Sequence, residues 1–169
     1  MKPKPALLVI DIQNEFLNQV PEWDRRVGLW MINVVIGLFR EHKFPVIRVY
    51  HTDPLRGPAP GTEPFEFPAS VAVRPDDPQI VKNHPNAFKK TELEKLLRDE
   101  GCNTVFVTGL SAVMCVLATY HAAKDLDFST FMVKDAIMSH NSAYTDNVEQ
   151  ICDTVGCEAL RLVLSAADD

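Results

Sequence analysis

The sequence has few cysteines, no long apolar run and no cluster of basic residues, and each shortage excludes a class of protein. Its 4 cysteines form no Cys-x-x-Cys pair and have no histidine at zinc-finger spacing, which argues against a structural metal site or a disulfide framework. No apolar stretch approaches the roughly 18 residues that a membrane span needs. The lysines and arginines are scattered in a chain of net charge −6, so neither nucleic acid nor an anionic membrane is an expected partner.

The remaining composition is that of one globular domain. The chain has 169 residues, enough to bury a single core and too few for two comfortable domains. The apolar stretch near the N-terminus meets Asp11 too early for a signal peptide. We therefore expect one domain over residues 1–169, located in the cytoplasm.

Apolar runs and helical repeats alternate along the chain, which is typical of parallel β-α-β units. The predicted strands are residues 6–10, 45–50, 80–82, 104–108, 130–133 and 158–163. The predicted helices run from a cap at Asp24 to about residue 41, from a capping box of Thr91 and Glu94, and over about 113–125 and 142–155. This pattern predicts an α/β fold, a three-layer doubly wound sheet of about six parallel strands with helices on both faces.

Seven of the 12 prolines fall between residues 52 and 79, namely Pro54, Pro58, Pro60, Pro64, Pro68, Pro75 and Pro78. They forbid long regular elements there, so we expect a long ordered loop. Phe65 and Phe67 are candidates to cover a binding pocket from this loop.

Three chemically reactive side chains fall at or just beyond predicted strand ends: Asp11, Lys82 and Cys115. A doubly wound sheet gathers such positions on one edge. A lysine near a cysteine lowers the pKa of the thiol, as does the start of the helix expected after Cys115, and a carboxylate can take and return its proton. Each residue alone also has a structural reading, as a packing thiol, a turn carboxylate or a solvated ammonium. Together they predict a cysteine nucleophile.

Three segments in order resemble the isochorismatase-like cysteine hydrolase superfamily, which includes nicotinamidases, N-carbamoylsarcosine amidases and isochorismatases. They are residues 8–16 (LVIDIQNEF), residues 81–88 (VKNHPNAF) and residues 107–119 (VTGLSAVMCVLAT), followed by Asp135 and Ala136. The resemblance implies a catalytic triad of Asp11, Lys82 and Cys115. It also implies a cis peptide between Leu110 and Ser111, an oxyanion hole formed by the N–H groups of Ser111 and Cys115, and a homo-oligomer, either a dimer or a tetramer.

The chain departs from its nicotinamidase relatives at the metal site. These carry an Asp-x-His motif after the second strand, whereas this chain has Asp53, Pro54 and Leu55. No glycine-rich turn follows the first predicted strand either, which excludes a dinucleotide fingerprint. We therefore expect no metal and no other cofactor.

Further candidates surround the three reactive residues. Gln13, Phe16 and His51 are expected to contact a small-molecule substrate, because they lie at or just past the same strand ends. His84, His121 and His140 are predicted as exposed or capping residues.

We interpret the sequence as that of a hydrolase that cleaves a C–N bond of a small amide, imide or ureido compound through a cysteine thioester. Isochorismate cleavage does not need the cysteine in this superfamily, so the presence of Cys115 favours acyl chemistry. Two alternatives stay open at this point: a metal-assisted nicotinamidase, and a non-catalytic binding module that keeps the fold.

Overall fold

A six-stranded parallel sheet forms the centre of the computed structural model, which describes residues 2–168. The strands are β1 Pro5–Ile10, β2 Val46–His51, β3 Gln79–Lys82, β4 Thr104–Leu110, β5 Ser129–Met138 and β6 Thr154–Val155. Their order is β3-β2-β1-β4-β5-β6, and every neighbouring pair is parallel. The winding reverses between β1 and β4, so the predicted doubly wound sheet is confirmed.

Helices cover both faces of the sheet: α1 Asn14–Leu17, α2 Glu22–Glu41, α3 Leu93–Asp99, α4 Leu117–Asp125, α5 Ser142–Ile151 and α6 Cys157–Asp168. Leu7 and Val9 of β1 pack in one apolar cluster with α2 and α6, whereas Leu8 and Ile10 pack in a second cluster with α3, α4 and α5. All six residues of β1 are buried. Burial on both faces explains why this strand is a continuous apolar run.

The strand predicted at residues 158–163 is wrong, because this segment belongs to α6. Leu160, Leu164 and Ala167 are buried at helical spacing, and Leu162 is 72% exposed. A strand would have put Leu160 and Leu162 on the same face. The sixth strand is instead the short β6, which pairs with Met132 and Val133 of β5, and α5 accordingly ends at Ile151.

Two predicted helix starts also differ. Helix α2 begins at Glu22 behind Pro21, so Asp24 lies in its first turn rather than at its cap. The predicted capping box of α3 is absent, because Thr91 accepts a hydrogen bond from the N–H of Leu93 and the Glu94 carboxylate pairs with Arg98.

Contacts with helix α2 and strand β2 hold the proline-rich loop in place. Arg40 of α2 forms an ion pair with Asp77 at 2.6 Å, and Arg48 of β2 donates to the carbonyls of Pro75 and Asp77. Phe65, in a 3₁₀ turn over Glu63–Phe65, stacks on a core tyrosine as Phe67 does. Neither ring lines the cavity at the carboxyl ends of the strands, so the prediction that they cover the binding pocket is wrong. Within residues 2–168, no helix combines the length and apolar character that crossing a bilayer requires.

Candidate active site

A cavity of about 500 Å³ opens at the carboxyl ends of β1, β2 and β4. Asp11, His51, Ser111 and Cys115 line it. The position is the point where the winding of the sheet reverses, which is where ligands bind in open α/β sheets. The volume lies in the range of small-molecule sites.

Asp11 follows directly after β1 in a left-handed conformation, with φ of 52°. Its N–H donates to the carbonyl of Val49 in β2, and its side chain is nearly fully buried. Burial raises the pKa of the carboxyl, and the nearby ammonium of Lys82 opposes the rise. Its Oδ1 atom has no hydrogen-bond partner among residues 2–168, so an acceptor is free at the site.

Lys82 is the last residue of β3, and its side chain is completely buried. The parallel register pairs it with His51 of β2. Its Nζ donates to Oδ2 of Asp11 at 2.6 Å and lies 3.2 Å from Nδ1 of His51. Because an ammonium only donates, Nδ1 of His51 accepts and Nε2 carries the proton. Burial, followed by the charge of Lys82, lowers the pKa of His51, which keeps the ring neutral.

The structure brings Cys115 to the same point. Its sulfur, a carboxylate oxygen of Asp11 and a ring nitrogen of His51 all lie within 4.8 Å of one another. Cys115 belongs to a π-helical turn over Ala112–Val116, whereas the regular helix α4 begins only at Leu117.

The expected lowering of the Cys115 pKa is wrong. Burial and the neighbouring carboxylate of Asp11 raise this pKa to about 12, and Lys82 offsets only part of the rise. The charge of Lys82 does lower the thiol pKa, but desolvation of the sulfur by the folded chain raises it by more, and that desolvation has no signal in the sequence. The resting group is therefore a thiol, and its reactivity depends on a base that removes its proton.

Backbone N–H groups converge on the turn that holds Cys115. Gly109 has φ of 114° and lies so close to the carbonyl of Ile10 that no side chain fits. The next peptide bond, between Leu110 and Ser111, is cis. The N–H groups of Met114 and Val116 both donate to the Ser111 carbonyl, whereas the N–H of Ser111 finds no acceptor within the described part of the chain. One donor thus remains free on the wall of the cavity that holds the sulfur.

The three expected substrate contacts divide into two groups. Phe16 lines the cavity and meets the ring of His51 edge-on, with 6.0 Å between the ring centroids, and His51 lines the cavity as well. Gln13, in contrast, is completely buried away from the cavity. Its amide accepts from the His51 N–H at 2.7 Å and donates to the His51 carbonyl at 3.0 Å. Gln13 therefore positions His51 rather than contacting a substrate.

Several lining residues were not singled out by the sequence. His140 is exposed, as predicted, and it also lies on the cavity wall, as do Asp53 and Met114. His140 comes just after the end of β5, but β5 continues five residues beyond its predicted end, past a left-handed Asp135 where the register with β4 shifts. With the correct strand length, the strand-end rule would have found His140.

The residues present do not fit a divalent metal site. Residues 52–79 contain no histidine, and Oδ1 of Asp53 accepts the N–H of Leu55 at 2.8 Å. Asp11, His51 and Cys115 do lie at ligand spacing, but the ammonium of Lys82 sits on both Asp11 and His51. A cation bound to these three donors would face that positive charge directly.

Comparisons with known proteins agree with this architecture. A family model described as the isochorismatase domain matches residues 5–155. The isochorismatase family protein YrdC of Bacillus subtilis is 29% identical over 156 residues, which cover 86% of this chain and 82% of that protein.

Two solved structures show the same fold. N-carbamoylsarcosine amidase from Thermoplasma acidophilum has a TM-score of 0.78 at 26% identity, over 90% of this chain and 95% of the amidase. Pyrazinamidase of Pyrococcus horikoshii in complex with zinc has a TM-score of 0.80 at 24% identity, over 91% of this chain and 99% of the pyrazinamidase.

Proposed function

Because this chain belongs to the isochorismatase family, we propose that it hydrolyses a C–N bond of a small amide, imide or ureido compound through a thioester on Cys115. One observation carries the proposal: a thiol, an unpartnered carboxylate oxygen and a buried ammonium meet on the wall of a small-molecule cavity. The likeness to an amidase structure supports the choice of C–N chemistry.

The first step transfers the proton of the Cys115 thiol to Asp11. The free Oδ1 of Asp11 can receive it, since Oδ2 is held by Lys82. Burial raises the pKa of Asp11 and so makes it a stronger base than a solvated aspartate. Lys82 stabilises the thiolate once Asp11 is neutral, because its positive charge then acts on the sulfur alone.

The thiolate then attacks the substrate carbonyl, forming a C–S bond while the carbonyl π electrons move to oxygen. The N–H groups of Ser111 and Cys115 are the proposed donors to this oxyanion, each worth about 3 kcal/mol in a preorganised site. When the C–N bond breaks, its electron pair stays on nitrogen, and Asp11 returns the proton to the leaving amine. The acyl group remains on Cys115 as a thioester.

Water completes the cycle. Asp11 removes a proton from the water as it attacks the thioester carbonyl, and the C–S bond breaks with its electrons on sulfur. Asp11 then returns that proton to the sulfur. The products are a carboxylic or carbamic acid and the released nitrogen compound, which is ammonia or an amine from an amide or a ureide and an amide from an imide, and the enzyme is restored.

The test is a panel of small amides, ureides and imides, in which release of ammonia or amine is measured for the amides and ureides and formation of the acid is measured for the imides. Cys115→Ala should abolish turnover, and Asp11→Asn should lower kcat by about 10²–10⁴, the range for a lost general acid-base group. Cys157→Ala is the matched control, since that thiol lies outside the cavity and should not affect turnover. Turnover by the Cys115→Ala variant would contradict the thioester.

The same panel decides between the alternatives. A metal-assisted nicotinamidase would hydrolyse nicotinamide, lose activity with a chelator and regain it with zinc. A binding module would hydrolyse nothing while still binding a ligand in the cavity. The single domain, the cytoplasmic location and the homo-oligomer stay predictions, and sedimentation of the purified chain tests the last of these.

A further inference from the structure

The cavity carries a net negative charge. Among the cavity-lining residues within the described chain, Asp11 and Asp53 are the acidic ones, and none is a lysine or an arginine. Asp11 is compensated by the buried ammonium of Lys82 at 2.6 Å. Asp53 has no such partner among the ion pairs of residues 2–168, so its charge is left over.

The carboxylate of Asp53 lies on the wall of the same cavity. It follows two residues after β2, is half-buried, and is held in its turn by the N–H of Leu55. Its charge also reaches His51, since it opposes the lowering of the His51 pKa that burial causes. A ligand that lies against His51 therefore experiences this charge as well.

The other residues of the cavity wall indicate which ligand groups the site favours. Phe16, Val20, Leu110 and Met114 form an apolar part of the wall, and Asn83 and His140 add polar groups. An apolar part of a ligand can pack against these side chains without removing a charged group from water. A carboxylate on the ligand would face Asp53 instead of a cation, and like charges at close range are unfavourable.

We propose that this site selects amides whose substituent is neutral or bears a basic nitrogen, and rejects amides that carry a carboxylate. The inference rests on the proposed function, since it names the substrate class of the same cavity. Asp53 is its specificity-determining residue.

Charged thiol reagents test this selectivity without any substrate. Three methanethiosulfonates of similar size, one cationic, one neutral and one anionic, are reacted with the protein at about pH 8, where ordinary histidines are neutral. Mass spectrometry follows the modification of Cys115, and each rate is divided by that of a simple free thiol. One unit charge at a distance of about 9 Å, with an effective dielectric constant of about 40, between the values of about 20 near a protein surface and about 80 in water, should change each charged reagent's rate by about fivefold. We expect the cationic reagent to have the highest normalised rate of Cys115 modification, the neutral reagent the next and the anionic reagent the lowest.

Asp53→Asn isolates the cause. It should bring the cationic and anionic rates together, and any change in the thiolate fraction cancels because both reagents meet the same sulfur. Asp76→Asn removes the same charge from an exposed loop residue outside the cavity, and it should leave the ratio as in the wild type. A ratio equal to that of the free thiol, an anionic preference, or no effect of Asp53→Asn would each overturn the proposal.

Matched substrates separate this inference from the proposed function. Amides of one acyl group are offered with a neutral, a basic or a carboxylate substituent, and the first two should show a kcat/KM at least about fivefold higher than the third. A faster carboxylate substrate would refute the charge selection and leave the hydrolase intact. Reagent selectivity without hydrolysis of any amide would refute the hydrolase and leave the charge selection intact.

Discussion

Replacing Lys82 with methionine tests the electrostatics of the site most directly. The substitution removes the buried ammonium and keeps a flexible side chain of similar length. The carboxylate of Asp11 is then left buried, with its side chain only 4% exposed and its ion-pair partner gone. Since an uncompensated buried charge is costly, Asp11 will take up a proton instead.

Proton uptake sets the size of the effect. Protonating a carboxyl whose ordinary pKa is 3.8 costs about 4 kcal/mol at neutral pH, at 1.36 kcal/mol per pH unit. The loss in free energy of unfolding is therefore at most about 4 kcal/mol, and it is smaller because burial already raises the Asp11 pKa in the wild type. The Lys82→Met substitution raises the Asp11 pKa further, so the variant's loss in free energy of unfolding grows as the pH rises and shrinks toward acid pH. The change is about 1.4 kcal/mol per pH unit while Asp11 is ionised in the wild type.

Urea unfolding of both proteins between about pH 5 and pH 7.5 measures this dependence. The variant should also lose turnover by at least about 10²-fold, because a protonated Asp11 cannot act as a base. When Asp11→Asn is already present, the Lys82→Met substitution should cost at least about 2 kcal/mol less than in the wild type, which reports the pairwise coupling. A deficit well above about 4 kcal/mol, or one that does not change with pH, would refute the reasoning.

Three further predictions concern single residues. Alkylation of Cys115 should rise about tenfold per pH unit from about pH 8 to pH 10, because its pKa is raised to about 12; a plateau below about pH 9 in a mass-spectrometric rate profile would contradict this. Gly109→Ala should lower the free energy of unfolding by more than about 3 kcal/mol, since its φ is 114° and a Cβ would strike backbone. Gly37→Ala, in an exposed and open helix position, should instead raise it by up to about 1 kcal/mol, and thermal unfolding compares the two. Gln13→Met should cost about 1–3 kcal/mol in urea unfolding, because it leaves the backbone N–H and carbonyl of His51 unpaired; an unchanged midpoint would count against the clamp.

The parts of the fold that could be read from the sequence are those with strong local signals. The uninterrupted apolar run of β1 reflects burial on both faces, and the apolar repeat of α2 reflects one buried face. The first residues of the segment 157–168 fit a strand as well as a helix, which is why the prediction of a strand over 158–163 is wrong. Its period emerges only when Leu164 and Ala167 are included.

The candidate site also has a part that the sequence predicts and a part that depends on the tertiary structure. The alternation of strands and helices places every strand end on one edge, so the order of residues along the chain was enough to predict that Asp11, Lys82 and Cys115 would meet. The pKa of Cys115, the role of Gln13 and the place of His140 depended on how the chain folds. Desolvation, hydrogen-bond partners and the lining of a cavity depend on contacts between segments that are distant along the chain. Only the tertiary structure brings these segments together, so the local sequence does not determine those properties.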